Sequence, residues 1–165
     1  VSGLRIVNGQ RGRVAIFKLD DGSGAIETVA GDEWLDRGRE LLRDDELLVV
    51  QGRVQPDRYT GGFRLAALDL WDLASARARF GRYLAVEVNG GMPPVADVLR
   101  LWPGRRVGTD DGEQVRGLGV RLLLQRERAS AELDLGDDAR FWPSDEALAR
   151  WRSIAHEGHA AVVYE

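Results

Sequence analysis

Residues 11–29, RGRVAIFKLDDGSGAIETV, decide how the first half of the chain is read. Residues 13–19 are β-rich, Asp20-Asp21-Gly22-Ser23-Gly24 is a run of turn formers, and Ile26, Thr28 and Val29 resume a strand. That pattern predicts a hairpin. Upstream, Leu4-Arg5-Ile6-Val7 is a short apolar run broken by Asn8-Gly9-Gln10. Downstream, Asp32 to Leu42 carries Trp34, Leu35, Leu41 and Leu42 on one helical stripe, with Asp32 as its N-cap. Leu47-Leu48-Val49-Val50 then reads as a strand buried on both faces, with Gly52 at a bulge or bend. Phe63 to Trp71 is the next strand, set off by Pro56 and Gly61-Gly62.

The order strand, strand, strand, helix, strand, strand is that of an OB-fold, a five-stranded barrel plugged by a helix. The second part begins after a short helix, Leu73 to Phe80, with a boundary near Gly81 that divides the chain into 1–80 and 81–165. It runs through a strand (Leu84 to Val88), a helix after Pro93-Pro94, and the polar, glycine-containing stretch Arg105 to Gly117, which reads as a mobile loop. Strands Val120 to Gln125 and Ser130 to Leu135 follow, with Ala139 to Trp142 as a possible extension of the sheet. A helix capped by Ser144 and a last strand, Ala160 to Tyr164, complete the chain. Strand, helix, strand, strand, helix, strand predicts a small ferredoxin-like α+β domain with a split βαβ.

Composition narrows the function. The chain has no cysteine, which removes disulfides, thiolate metal sites and cysteine nucleophiles. With no signal-peptide pattern and no apolar run approaching the roughly 20 residues of a membrane span, it reads as cytoplasmic. Its 23 basic and 27 acidic residues give a net charge of −4, whereas a strong non-specific polyanion binder is usually basic. The carboxylate pairs Asp20-Asp21, Asp110-Asp111 and Asp137-Asp138 lie in turns, and His156 and His159 flank a helix-ending glycine. No catalytic residue, metal ligand set, cofactor motif or small-molecule site is expected from these patterns.

Single strands are held by cations and aromatic faces together. On an OB-fold they lie across strands two and three and the flanking loops. That geometry nominates Arg11, Arg13, Arg58 and Tyr59 in the loops, joined by Lys18, Arg53, Phe63 and Arg64. If Phe17 faces the core, alternation turns Lys18 outward. In the second part, Trp102, Phe141, Trp142 and Tyr164 are the candidate partner contacts, since aromatics are favoured interface anchors.

The segments RGRVAIFKLDDGSGAIE, ELLVVQGRV, GGFRL, LWDLASARARF and FWPSDEALARW together resemble the C-terminal region of the bacterial DNA polymerase III alpha subunit family. The resemblance implies that the OB domain contacts single-stranded template, that the terminal domain docks the tau subunit of the clamp loader, and that the polymerase active site lies upstream of Val1. The chain departs from the family pattern at Gly22, at Ala30-Gly31 and at Trp142. A pure protein-interaction module with a degenerate OB-fold is the alternative that the acidic charge balance leaves open.

Overall fold

The computed structural model describes residues 1–9, 12–57, 61–109 and 112–165. They form two compact units, Val1–Leu73 and Ala74–Glu165. Both are built on mixed sheets with few helices.

The first unit contains β1 (Ser2–Gly9), β2 (Gly12–Asp20), β3 (Ala25–Ala30), α1 (Asp32–Arg37), β4 (Leu48–Pro56) and β5 (Phe63–Asp72). Its sheet order is β1-β2-β3-β5-β4, with β3 and β5 parallel and the other neighbours antiparallel. The turn between β2 and β3 is made by its aspartates. Asp20 accepts the Gly22 N–H at 2.9 Å, while one carboxylate oxygen of Asp21 accepts from the Ser23 hydroxyl at 2.7 Å and from the N–H groups of Ser23 and Gly24. Strict alternation then buries Ala15 and Phe17 against Ala30, Trp34, Leu35, Leu42 and Leu70.

Among the described residues the sheet does not close into a barrel, and β1 and β4 are its edges. The start of β1 is instead met by the turn before β4. The Val1 amino group donates to the Glu46 carbonyl, Asp45 N–H to the Val1 carbonyl, and Leu4 N–H to the Asp44 carboxylate. Asp45 takes a left-handed φ of 67° to do so.

α1 is shorter than its apolar stripe suggests: Gly38 makes the last helical bond, to the Trp34 carbonyl, and its own backbone, at φ −115° and ψ 21°, leaves the helical conformation. Its N-cap is Gly31, not Asp32, whose carboxylate is drawn to Arg13. β4 is likewise not buried on both faces. As an edge strand it leaves Leu47 67% exposed beside it and Leu48, Val49 and Val50 half-buried. A register shift between Gln51 and Gly52 makes Leu68 of β5 the extra residue of a bulge. There Gly52 lies so close to β5 that a Cβ would fall 2.4 Å from the Ala66 carbonyl oxygen.

The second unit takes most of α2 (Leu73–Phe80), then β6 (Tyr83–Asn89), α3 (Val95–Leu101), β7 (Arg105–Thr109), β8 (Gly112–Arg116), β9 (Gly119–Arg126), β10 (Ala129–Asp134), α4 (Asp145–Ile154) and β11 (Ala160–Val163). Its main sheet runs β10-β9-β6-β11, with β6 and β9 parallel and adjacent. The split βαβ of a ferredoxin-like sheet is therefore not formed, since β10 lies outside β9 and not between β6 and β9. The reason is burial: Leu84, Val86, Val88, Val120 and Leu122 need the covered centre, whereas every residue of β10 is exposed.

The stretch read as a mobile loop is a paired hairpin, β7 with β8, in register from Arg105↔Arg116 to Thr109↔Gly112. Asp110 and Asp111 between those ends fall outside the described residues. The segment from Ala139 to Trp142 is not a sheet strand either. A 3-10 turn spans Asp137–Ala139, and Phe141 makes isolated bridges to Pro103 and Leu118. Phe141 packs edge-on to Trp151 with ring centroids 5.6 Å apart, both fully buried beside Leu84, Val98 and Leu148. Ser144 caps α4 by accepting the Ala147 N–H at 3.3 Å.

Gly52→Ala is expected to lower unfolding free energy by about 2 kcal/mol, because backbone must move to admit the methyl group. Gly24→Ala, where a Cβ meets open space, is expected to change it by less than about 0.5 kcal/mol. Urea denaturation of the two variants beside the parent chain checks both.

Candidate nucleic-acid and partner-binding surfaces

Register assigns the candidate side chains of the first unit to faces, since residues directly opposite across neighbouring strands point the same way. One row runs Lys18↔Glu27↔Arg64↔Gln55 across β2, β3, β5 and β4. The next runs Arg5↔Ile16↔Val29↔Ala66↔Arg53. Phe17 lies between Ile16 and Lys18 and is buried, so this is the outward face. It brings Lys18, Arg53 and Arg64 together as the sequence anticipates, and adds Arg5, which the sequence reading misses. Glu27 sits among them as a lone carboxylate of the two rows and pairs with Arg5 at 2.9 Å. Lys18 lies 3.9 Å from Asp20. A depression of about 370 Å³ opens on this face, lined by Ser2, Arg5, Ile16, Lys18 and Glu27.

Two other candidates separate from this group. Arg13 shares the parity of Ala15 and Phe17, and its guanidinium donates to Asp32 at 3.0 Å and to Asp36 at 3.2 Å, tying β2 to α1. Its odd separation from Lys18 puts the two cations on opposite faces. Phe63 is 68% exposed, but alternation along β5 turns it away from the side of Arg64. Arg11, Arg58 and Tyr59 lie outside the described residues.

In the second unit the aromatic candidates also divide. Phe141 is 0% exposed and belongs to the core, so its ring is no surface anchor. Trp102 is half-buried and packs on the same core. Trp142 is half-buried, its N–H donates to the Trp102 carbonyl, and the Arg105 guanidinium lies 3.6 Å from the centre of its ring. Tyr164 is exposed just beyond β11. Arg105 was missed because its segment, rich in glycine and charge, reads as a loop. The signal is the turn-forming sequence Asp110-Asp111-Gly112 between two short valine-containing runs.

Elsewhere, His159 pairs with Glu87 at 3.0 Å. Among the described residues no group of three or more His, Cys, Asp and Glu side chains could hold a metal ion, and no helix is long and apolar enough to cross a membrane. Three carboxylates are held below their ordinary acidity range. Asp21 is lowered by the Ser23 hydroxyl first and then by turn N–H groups, Asp134 by the Gly136 N–H, and Glu146 by its own N–H and then by Ser144.

No protein-family profile matches the chain. Individual relatives do. DNA polymerase III subunit alpha of Vibrio cholerae serotype O1 is 33% identical over 169 aligned residues, covering 100% of this chain and 14% of the relative. The subunit of Escherichia coli K12 is 32% identical over 158 residues, 93% of this chain and 13% of its own length. That of Neisseria meningitidis serogroup B is 33% identical over 146 residues, 87% and 12% respectively. The chain is thus homologous, along its whole length, to a segment of the DNA polymerase III alpha subunits, and it spans about 13% of the length of the relatives it matches.

Acid should weaken the fold through the lowered carboxylates. A group whose folded-state pKa is depressed stabilises fully above its unfolded value and ceases to as pH falls through the folded value. The thermal midpoint is therefore expected to be level near neutrality and to drop below the ordinary carboxylate range. Asp21→Asn should reduce that drop, which a series of melts against pH would show.

Proposed function

We propose that the chain is the non-catalytic C-terminal region of a bacterial replicative DNA polymerase, working as a template-holding and docking segment. In this reading catalysis belongs to the remainder of the parent alpha subunit. The first unit is an OB-fold opened between β1 and β4: the β1-β2-β3 meander, the parallel β3–β5 pair and the antiparallel β5–β4 pair follow the strand order of that barrel. It holds single-stranded DNA weakly on its outward face. The second unit docks the tau subunit of the clamp loader.

The observation that carries the DNA reading is the gathering of Arg5, Lys18, Arg53 and Arg64 on one face around Glu27. Guanidinium forks suit phosphate oxygens. With so few cations in a chain of net charge −4, affinity rests on local contacts and falls steeply with salt.

Fluorescence anisotropy with labelled oligo-dT tests this. Replacing Lys18, Arg53 and Arg64 together with glutamine is expected to weaken binding more than about tenfold, whereas Glu27→Gln, which removes a like charge from the site, strengthens it about threefold. Arg13→Gln, on the opposite face, leaves affinity unchanged. A triple variant that binds as well as the parent chain would place the site elsewhere.

A second reading, a protein-interaction module that has lost useful DNA affinity, is favoured by one specific observation. Several cations of the first unit are already answered internally: Arg5 by Glu27, Arg13 by Asp32 and Asp36, and Lys18 by Asp20. Oligo-dT binding that is undetectable even at low salt, with tau binding intact, selects it. For the docking role, Trp142→Ala is expected to weaken tau binding by about 2 kcal/mol, the scale of an interface hot spot, measured by calorimetric titration of the chain with tau.

A further inference from the structure

The β7–β8 hairpin places Arg105 directly opposite Arg116. Like charges in that position, with Cβ atoms about 5 Å apart, oppose folding, and no carboxylate answers either guanidinium among the described residues. Two carboxylates of this region are committed elsewhere: Glu113 pairs with Arg106 at 3.1 Å, and Asp137 pairs with Arg140 at 2.6 Å. Arg105 and the base of the hairpin are also held in place. Arg105 lies flat over Trp142 at 3.6 Å, and Arg140 donates to the Gly117 carbonyl at 3.0 Å. Gly104 and Gly117 let the hairpin base approach the Arg140–Phe141 backbone so closely that a Cβ at Gly117 would lie 2.7 Å from the Phe141 carbonyl oxygen.

We propose that Arg105 and Arg116, backed by Trp142, receive a carboxylate from an acidic segment of a partner protein. This deepens the reading of the second unit as a docking module and rests on it. Two guanidinium forks on the same side of the hairpin suit a carboxylate, and the anion offsets the like charges of the pair. A nucleic-acid strand fits less well. The ring face that would stack a base is already covered by Arg105, and Glu113 and Asp137 interrupt any continuous basic track for a polyphosphate. Arg116 anchors the acidic side chain, while Trp142 positions Arg105.

The test titrates the whole chain with two probes: a synthetic peptide alternating glutamate and glycine, followed by nuclear magnetic resonance, and a tau subunit, followed by calorimetry. At low salt the peptide is expected to shift the Trp142 indole N–H resonance, assigned through Trp142→Phe. Arg116→Gln should weaken the peptide about tenfold while raising the thermal midpoint slightly, as a like-charge pair is removed, and leaving oligo-dT affinity unchanged. Arg116→Lys, which keeps the charge without the fork, should recover part of the loss. Equal peptide affinity for parent and Arg116→Gln overturns the proposal. So does displacement of the peptide by oligo-dT, which would make the patch a nucleic-acid site. Tau that binds both chains equally removes this anchor and leaves the docking role standing. Peptide binding that depends on Arg116, in a chain that tau ignores, keeps the anchor and assigns it to another acidic partner.

Discussion

Burial of Phe17 fixes more of the first unit than any other single contact. Once that ring lies against Trp34 and Leu35, the two-residue repeat of β2 has no freedom left. Lys18 must face out, Arg13 must share the side of α1, and the register with β3 carries the same choice to Glu27. Through the parallel β3–β5 pair it reaches Arg64 and Arg53. A slip of one residue would bury Lys18 and expose Phe17 together, so the charged face and the core are specified by one constraint.

The second unit answers to a different constraint, the need to cover Trp151. This residue is fully buried at the centre of α4 and takes Phe141 edge-on against its ring. Phe141 can reach it because its segment bridges Pro103 and Leu118, and those bridges also bring Trp142 beside the base of the hairpin. The surface feature that suits a partner is thus a by-product of closing the core. Trp142 is on the surface because its neighbour is not.

Much of this could be read from residue order. The β2–β3 turn, the bulge at Gly52, the cap at Ser144 and the inward–outward alternation of Phe17 and Lys18 follow from local rules that tertiary contacts did not override. What escaped reading was decided at longer range. Whether a hairpin adds its second strand inside or outside its neighbour is not a local property, so β10 was misplaced, although its Ala-Ser-Ala-Glu-Leu-Asp composition is poor material for a central strand. Phe141 reads as exposed because it lies near a loop and a helix end, yet bridging from two separate segments buries it. Arg13 reads as a loop residue beside the outward face, yet it lies within β2, and parity sets it opposite Lys18.

Among the described residues, the outer position of β10 leaves one row of its backbone N–H and carbonyl groups without a neighbouring strand, the kind of flank onto which a second chain can add itself. Here that flank is bordered by Glu132 and Asp134, both drawn to Arg121 on β9, at 3.1 and 3.5 Å. An incoming copy aligned on β10 would set its own Glu132 and Asp134 against these and would compete with Arg121 for them. The protection against fibre-like stacking therefore lies in two acidic side chains at the rim of the sheet.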